Sequence, residues 1–337
     1  GQVDRGIEHL QQAIDAHRAI GDRRGEGNFI GNLGLLYGEQ GQVKQAIEHI
    51  SRALVIAREV GDRRGECVSL GNLGALYQKL GSLRRAHESV TRAIAIAAEV
   101  GDRRNEGVFL GNLGDVLSSM GREAEAEAAL RRAIELCDET FSGAAGAFRG
   151  SLAWLLAQRG MTEEVQRLLE VGESQVRVLA HEHAKFLSKR EQIIEMEVAG
   201  TRPLVSHKEP LPLGDEPHGL ESGHEVPPAG FEQMTSEDES LALIEAERWL
   251  ESARIESSDG HYDEAIRCYE QSLAISRRTR DRSVQGKAIG GIGTAHLMKG
   301  DQAAAVECYL HALQISRETG QKRTEAVVLG DLGLVSL

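Results

Sequence analysis

The sequence Gly31-Asn32-Leu33-Gly34 returns as Gly71-Asn72-Leu73-Gly74 and again as Gly111-Asn112-Leu113-Gly114. Both intervals are 40 residues, and a second tetrapeptide, Gly-Asp-Arg-Arg, recurs in step at residues 21–24, 61–64 and 101–104. A fixed period of this size is typical of repeat proteins, in which one structural unit stacks on the next. The period therefore decides the architecture before any single residue is considered.

One unit, residues 21–60, predicts two helices. Gly21 suits the left-handed position after a helix end, and Asp22 suits the N-cap of the next helix. Apolar residues at helical spacing follow over about 23–40, Gly41 interrupts them, and a second helical pattern covers about 43–60. Gly34 and Ala46 are small, so we expect the two helix axes to approach closely. The first helix is rich in glycine and needs its neighbours for stability.

The residue types of this unit and their spacing resemble the tetratricopeptide repeat, or TPR. The residues that carry the resemblance are Leu33, Gly34, Tyr37, Gly41, Ala46, Ile50 and Ala53. The 40-residue period and the Gly-Asn-Leu-Gly run are similar to a longer TPR subclass seen in LGN/Pins adaptors, kinesin light chains and bacterial signalling proteins. The resemblance implies an all-α fold, namely an α-solenoid of antiparallel helix pairs.

The repeats fall into two stacks separated by a stretch of different composition. Residues 1–198 form the first TPR block, in which 161–198 predicts one long helix or a helix that continues into a cap over the stack. Residues 199–235 contain all six prolines and many acidic residues, which predicts a flexible linker. Residues 236–337 resume the repeat as a second, truncated block. Both ends fall inside a unit, so we expect a fragment of a longer protein.

Composition narrows the classes of partner. The formal net charge is −13, which argues against nucleic acid as a partner because phosphate binding needs a basic surface. Arg23, Arg24 and their repeats could form a basic ladder, but they could equally pair with the nearby Glu26 and its repeats. No apolar run is long enough to predict a membrane span. The four cysteines are scattered, which favours a reducing, cytoplasmic location.

No stretch carries the signature of a catalytic site. The Gly-Asn-Leu-Gly run lies in the middle of a predicted helix and lacks the Lys and Ser/Thr of a phosphate-binding loop. His181 and His183 are two residues apart, so on a helix they point to different sides and share no metal. The sequence therefore predicts a protein that is not an enzyme and has no catalytic residue, metal site or cofactor.

By resemblance, the first helices of successive units line a concave groove that binds partners. The groove residues this implies are Asn28, Asn32, Leu35, Val68, Asn72, Ala75, Gln78, Val108, Asn112 and Asp115. Gly31, Gly71 and Gly111 should leave backbone accessible and the groove deep. The asparagines of the three repeated runs either bond a bound segment or tie neighbouring helices together, and the sequence leaves both interpretations open.

The leading hypothesis is a protein–protein interaction scaffold that binds a protein or peptide ligand in this groove. It would serve as the sensor or adaptor region of a larger signalling protein. One alternative is regulation in cis, in which the acidic linker occupies a groove. Another is the regulatory arm of an enzyme, such as a kinase, cyclase or protease, whose catalytic domain lies outside residues 1–337.

Overall fold

The computed structural model describes residues 2–176, 180–198 and 236–335. These residues form fifteen α-helices and no strand. The helices are α1 (Gln2–Ala19), α2 (Arg23–Glu39), α3 (Val43–Glu59), α4 (Arg63–Lys79), α5 (Leu83–Glu99), α6 (Arg103–Ser119), α7 (Glu123–Thr140), α8 (Ser142–Ala157), α9 (Thr162–Val176), α10 (Ala180–Val198), α11 (Ser236–Ser258), α12 (Tyr262–Arg278), α13 (Arg282–Met298), α14 (Gln302–Glu318) and α15 (Lys322–Val335).

The turns follow the repeated Gly-Asp pair. The glycine at each turn from Gly21 to Gly121 has a positive φ between 68° and 75°, which a residue with a Cβ adopts only with strain. At alternate turns the next residue is an aspartate, which caps the helix that follows. Asp22 accepts a hydrogen bond from the Gly25 N–H at 2.9 Å, and Asp62 accepts one from Gly65 at 3.0 Å. The repeated tetrapeptide therefore ends one helix and starts the next, as predicted.

Within each unit, a glycine of the first helix receives a large side chain of the second. A Cβ on Gly34 would lie 2.6 Å from Ile50 Cγ1 and 3.1 Å from the Ala46 carbonyl oxygen. Two turns towards the N-terminus of α2, Gly27 meets Ile56, so α2 and α3 run antiparallel. The predicted all-α solenoid of antiparallel helix pairs is confirmed, and only glycine permits this close approach.

The end of the first block contains two helices where the sequence allowed one long helix. Helix α9 ends at Val176 and α10 begins at Ala180. Phe186 of α10 is fully buried, and its ring would meet a Cβ on Gly172 of α9 at 2.7 Å. Fourteen residues of continuous helix would separate these positions by about 21 Å. The long-helix interpretation is therefore wrong, because α10 folds back and covers the block.

The two blocks meet through helices from opposite parts of the chain. Helix α15 packs against α1, and Ala13 of α1 shares one buried core with Val328, Leu332 and Val335 of α15. In space the stack therefore runs from α11 to α15 and continues from α1 to α10. The predicted linker, residues 199–235, lies outside the described residues, so the in-cis contact proposed for it stays a prediction, as do the block boundaries.

Candidate functional site

A cavity of about 450 Å³ opens between α2 and α4, over α3. Half of the predicted groove residues line it together: Asn28, Asn32, Leu35, Val68 and Asn72. We call the surface formed by α13, α15, α2, α4 and α6, the first helices of successive pairs, the first-helix face. The cavity lies at the centre of this face, where the repeat period brings equivalent residues of two units side by side.

The polar and apolar groups of this cavity have few partners within the chain. Leu35 is 38% exposed and Val68 is 40% exposed, although both are aliphatic. Asn32 and Asn72 are half-buried. Among the described residues, nothing forms a hydrogen bond with their side-chain amides. Each amide offers two donors and a carbonyl oxygen, so the two asparagines together are able to form hydrogen bonds with the backbone of another chain.

The third unit is different, because a side chain of α10 reaches its part of the first-helix face. Asp115 forms an ion pair with Lys185 of α10 at 2.9 Å. The Lys185 ammonium also lies 4.5 Å from the centre of the Phe148 ring. Val108 packs against the apolar core. Asp115 is therefore already bound within the chain, and Ala75, Gln78, Val108 and Asn112 do not line the cavity.

The expectation that the repeated glycines leave the backbone open holds only at Gly31. A Cβ on Gly31 would meet nothing closer than Ala53 Cβ at 3.5 Å. Gly71 and Gly111 are buried, and the rings of Phe109 and Phe148 lie against them. The expectation is wrong for these two because an aromatic side chain of the next first helix fills the space that each glycine leaves. The glycines pack helices there and do not deepen a groove.

The arginines near the cavity are mostly paired. Arg23 donates to Glu26 at 2.6 Å, as Arg63 does to Glu66, which fits the pairing interpretation of the basic ladder. Burial would raise the pKa of the Glu26 carboxyl, but hydrogen bonds from Arg23 and Arg18 outweigh it, and the pKa lies below its ordinary value. Arg103 pairs with Glu139 at 2.8 Å, as Arg23 pairs with Glu59 at 2.9 Å.

A second cleft, of about 600 Å³, lies on the same face in the other block. Its charged lining consists of Arg254, Lys287, Arg323 and Asp331. Burial raises the pKa of Asp331 to about 7. Asp331 occupies the repeat position of Asn32 and Asn72, so a carboxyl group stands here where the first block has side-chain amides.

Sequence reasoning missed three residues of this face. Val327, which is 43% exposed, stands at the repeat position of Asn28 and Val68. Alignment of the second block with the first would have found both Val327 and Asp331. Lys185 has no repeat equivalent, so its position beside Asp115 is known only from the packing of α10.

Other kinds of site are not apparent in the described part of the chain. No group of three or more His, Cys, Asp or Glu side chains there is placed to hold a metal ion. Among the same residues, no helix combines the length and apolar character needed to cross a bilayer. A stack of helix pairs with an open face of this kind places the chain in the class of helical-repeat proteins. Folds of this class are in general non-catalytic, and they present extended binding surfaces.

Comparison with known families identifies the repeat. Tetratricopeptide repeat profiles match residues 27–99, 109–140 and 245–335, which together are more than half of the chain. The chain belongs to the tetratricopeptide repeat family, and the resemblance seen in the sequence is confirmed at that level. Its assignment to the 40-residue subclass stays a prediction. A search of curated proteins found no match.

Several solved structures are similar in architecture. BtubC (BKLC) from P. vanneervenii is 16% identical, with 64% of this chain and 99% of that chain covered and a TM-score of 0.46. A kinesin light chain-like protein of Podospora anserina with nearly identical TPR-like repeats is 22% identical (53% and 90% covered, TM-score 0.42). A Rap protein complexed with competence and sporulation factor is 12% identical (94% and 71% covered, TM-score 0.47). Identities this low do not indicate what this chain binds.

Proposed function

We propose that this protein is a scaffold that binds a peptide segment of a protein partner along the first-helix face, centred on the cavity between α2 and α4. The observation that carries the proposal is a row of half-buried amides without partners among the described residues, beside two exposed aliphatic side chains. Soluble proteins rarely leave polar and apolar groups together in a concavity unless something binds there.

The chemistry favours a neutral, extended or helical segment with small apolar side chains. Asn32 and Asn72 would exchange hydrogen bonds with its backbone, each contributing about 0.5–1.5 kcal/mol net. Leu35 and Val68 would bury apolar surface against its side chains. Arg24 lies 3.4 Å from Asp62 at the edge of the cavity, so this pair adds no strong net charge that would select an ionic ligand.

Helix α10 sets one end of the available surface. It packs on α8, the helix that follows α6 along this side of the stack, and binds Asp115 of α6, so a ligand would extend from α4 and α2 towards α15. A face that is covered at one end and open at the other suits an adaptor or sensor region of a cytoplasmic signalling protein. The same arrangement would serve a regulatory arm of an enzyme whose catalytic domain lies outside residues 1–337.

The test is a binding experiment with two matched substitutions. Peptides are first selected from a random displayed library on the full chain, and their affinities are measured by fluorescence anisotropy. Val68→Glu places a charge in the cavity, whereas Val55→Glu places the same charge on α3 at a valine that is 53% exposed and outside the cavity. We expect Val68→Glu to weaken binding at least tenfold, or about 1.4 kcal/mol, and Val55→Glu to change it less than twofold.

A second substitution distinguishes the loss of an amide hydrogen bond from a general disturbance of the cavity. Asn72→Ala removes the amide and leaves the helix intact, because alanine favours helix more than asparagine does. We expect a loss of affinity of about threefold to tenfold with unchanged helical content. If selected peptides bind Val68→Glu, Asn72→Ala and Val55→Glu with equal affinity, the groove assignment is wrong.

A further inference from the structure

A third cavity, of about 540 Å³, lies where the turn between α12 and α13 meets α14. Three arginines and a histidine line it together with a buried glutamine and a buried isoleucine: Arg277, Arg280, Arg282, His311, Gln285 and Ile289. The acidic side chains next to this cluster have other roles. Asp281 caps α13 by accepting from the Val284 N–H at 3.0 Å, and Glu318 pairs with Arg282. The lining of the cavity is therefore basic. We call it the α12–α13 pocket.

The first repeat unit shows what such a cluster binds when its partner is present. There, Glu26 forms ion pairs with Arg18 at 2.9 Å, Arg23 at 2.6 Å and Arg52 at 3.7 Å. The repeat equivalents of these three cations in the α12–α13 pocket are Arg277, Arg282 and His311. The basic side chains of the pocket therefore occupy positions that converge on a carboxylate in the first unit.

The same carboxylate recurs in other units but not in this one. Glu66 pairs with Arg58 at 2.8 Å, and Glu325 pairs with Arg317 at 3.0 Å. At the equivalent position the α12–α13 pocket has Gln285. The arrangement of cations is thus retained while the internal anion is replaced by a neutral amide.

The amide of Gln285 has its own hydrogen bonds but carries no charge. The side chain is only 7% exposed, and its Nε2 donates to the Ser276 carbonyl oxygen at 2.9 Å. Its Oε1 accepts a hydrogen bond from Arg282 at 3.3 Å. Among the described residues, the Arg277 side chain forms no ion pair and no hydrogen bond. The replacement of glutamate therefore leaves Arg277 without the counterion that Arg18, its equivalent, has.

The turn adds a further cation that the other units lack. Arg280 stands where the equivalent residues are glycines such as Gly21, Gly61 and Gly320. Its φ of 56° is one that a side chain bearing a Cβ adopts only at a conformational cost. The Arg280 guanidinium also has no partner in the part of the chain that the structure describes. This unit thus combines an additional arginine with the loss of a carboxylate.

We propose that the α12–α13 pocket is a binding site for a phosphate monoester group. The guanidinium of arginine presents paired N–H donors that match the oxygens of a phosphate, and Arg277 and Arg280 both have these donors free. Arg282 and His311 supply further donors beside them. The volume lies in the range of small-molecule sites, so it has room for part of the group that carries the phosphate. The proposal is independent of the peptide binding proposed for the cavity between α2 and α4.

Calorimetric titration of the full chain at low ionic strength tests the proposal, because salt screens exposed charges. The probes are inorganic phosphate, a short phosphoserine peptide with alanine flanks, and the same peptide without the phosphate. Gln285→Glu restores the carboxylate that Glu26 and Glu66 provide in their units, so this variant should fold normally. Arg277→Gln and Arg317→Gln form a matched pair at equivalent repeat positions.

We expect phosphorylated probes to bind and the unphosphorylated peptide not to bind. Gln285→Glu and Arg277→Gln should each weaken binding by about tenfold or more, the loss typical of a charge-assisted hydrogen bond. Arg317→Gln should change it less than about twofold, because Arg317 is already paired with Glu325. Tighter binding of the phosphopeptide assigns the site to a phosphorylated protein segment, whereas binding of inorganic phosphate at least as tight assigns it to a small phosphate.

Two results overturn the proposal. One is that neither inorganic phosphate nor the phosphopeptide binds to the unaltered chain. The other is that both Gln285→Glu and Arg277→Gln leave the affinity unchanged, because the phosphate would then lie at another place.

Discussion

Gly31 and Gly71 occupy the same position of successive repeats, yet replacing them with alanine should have opposite effects. Alanine is favoured over glycine in a helix interior by about 1 kcal/mol. At Gly31 the new Cβ would meet only Ala53 Cβ, at an ordinary contact distance of 3.5 Å. Gly31→Ala should therefore raise the free energy of unfolding by up to about 1 kcal/mol.

At Gly71 the same methyl group meets an aromatic ring. A Cβ there would lie 2.5 Å from Phe109 Cζ and closer still to the adjacent ring carbon, and Phe109 is only 4% exposed. Overpacking of this kind costs about 1–3 kcal/mol, which outweighs the gain in helix propensity. Gly71→Ala should therefore lower the free energy of unfolding, by roughly 1 kcal/mol net.

The assay is urea unfolding of both variants followed by circular dichroism, with the midpoint and slope compared with those of the unaltered chain. A third variant, Phe109→Leu, supplies a double-mutant cycle, and Gly71→Ala should be much less harmful in its presence. Stabilisation by both alanine substitutions, or no coupling between Gly71 and Phe109, would refute the packing argument.

Three further changes test other features of the structure. Arg280 has a φ of 56° at a turn where the equivalent positions are glycines such as Gly260, so Arg280→Gly should raise the free energy of unfolding by about 0.5–1 kcal/mol in urea, while Gly260→Arg should lower it. Burial raises the pKa of Asp331 to about 7, so ionising this carboxyl removes stability as the pH rises from about 4 to above 7. Asp331→Asn should therefore raise the free energy of unfolding at pH 8, by about 1.4 kcal/mol per unit of pKa shift, and change it little at about pH 4. An equal effect at both pH values would contradict the raised pKa of Asp331. Lys185→Glu should detach α10 from Asp115 and increase hydrogen exchange in α10, whereas unchanged exchange would show that the ion pair does not hold this helix.

The sequence predicts the repeat well because its signals are local. The positive φ of Gly21 and the cap at Asp22 depend only on neighbouring residues, and both occur as expected. Gly34 and Ala46 predict close packing, and the contacts of Gly34 with Ala46 and Ile50 lie within one unit. Such features follow from turn chemistry and helical spacing without knowledge of the rest of the chain.

The features that sequence reasoning missed depend on contacts between distant residues. Gly31 and Gly71 both precede Asn-Leu-Gly, and the residue 38 positions later, Ser69 for Gly31 and Phe109 for Gly71, decides that one is open and the other filled. The Lys185–Asp115 pair joins residues 70 positions apart and lies outside the period. Half of the predicted residues therefore share the cavity, and of the others Asp115 is bound by α10.

The spatial order of the helices has a consequence for anyone who rearranges this chain. Because α15 precedes α1 in the stack, a circular permutant that begins at Ser236 and runs through Leu337 into Gly1 would read as an uninterrupted array. Two inserted residues between Leu337 and Gly1 would place Gly1 one full period after Gly300 and one before Gly41. In such a permutant the covalent order and the stacking order coincide, and residues 199–235 are no longer needed to connect α10 to α11.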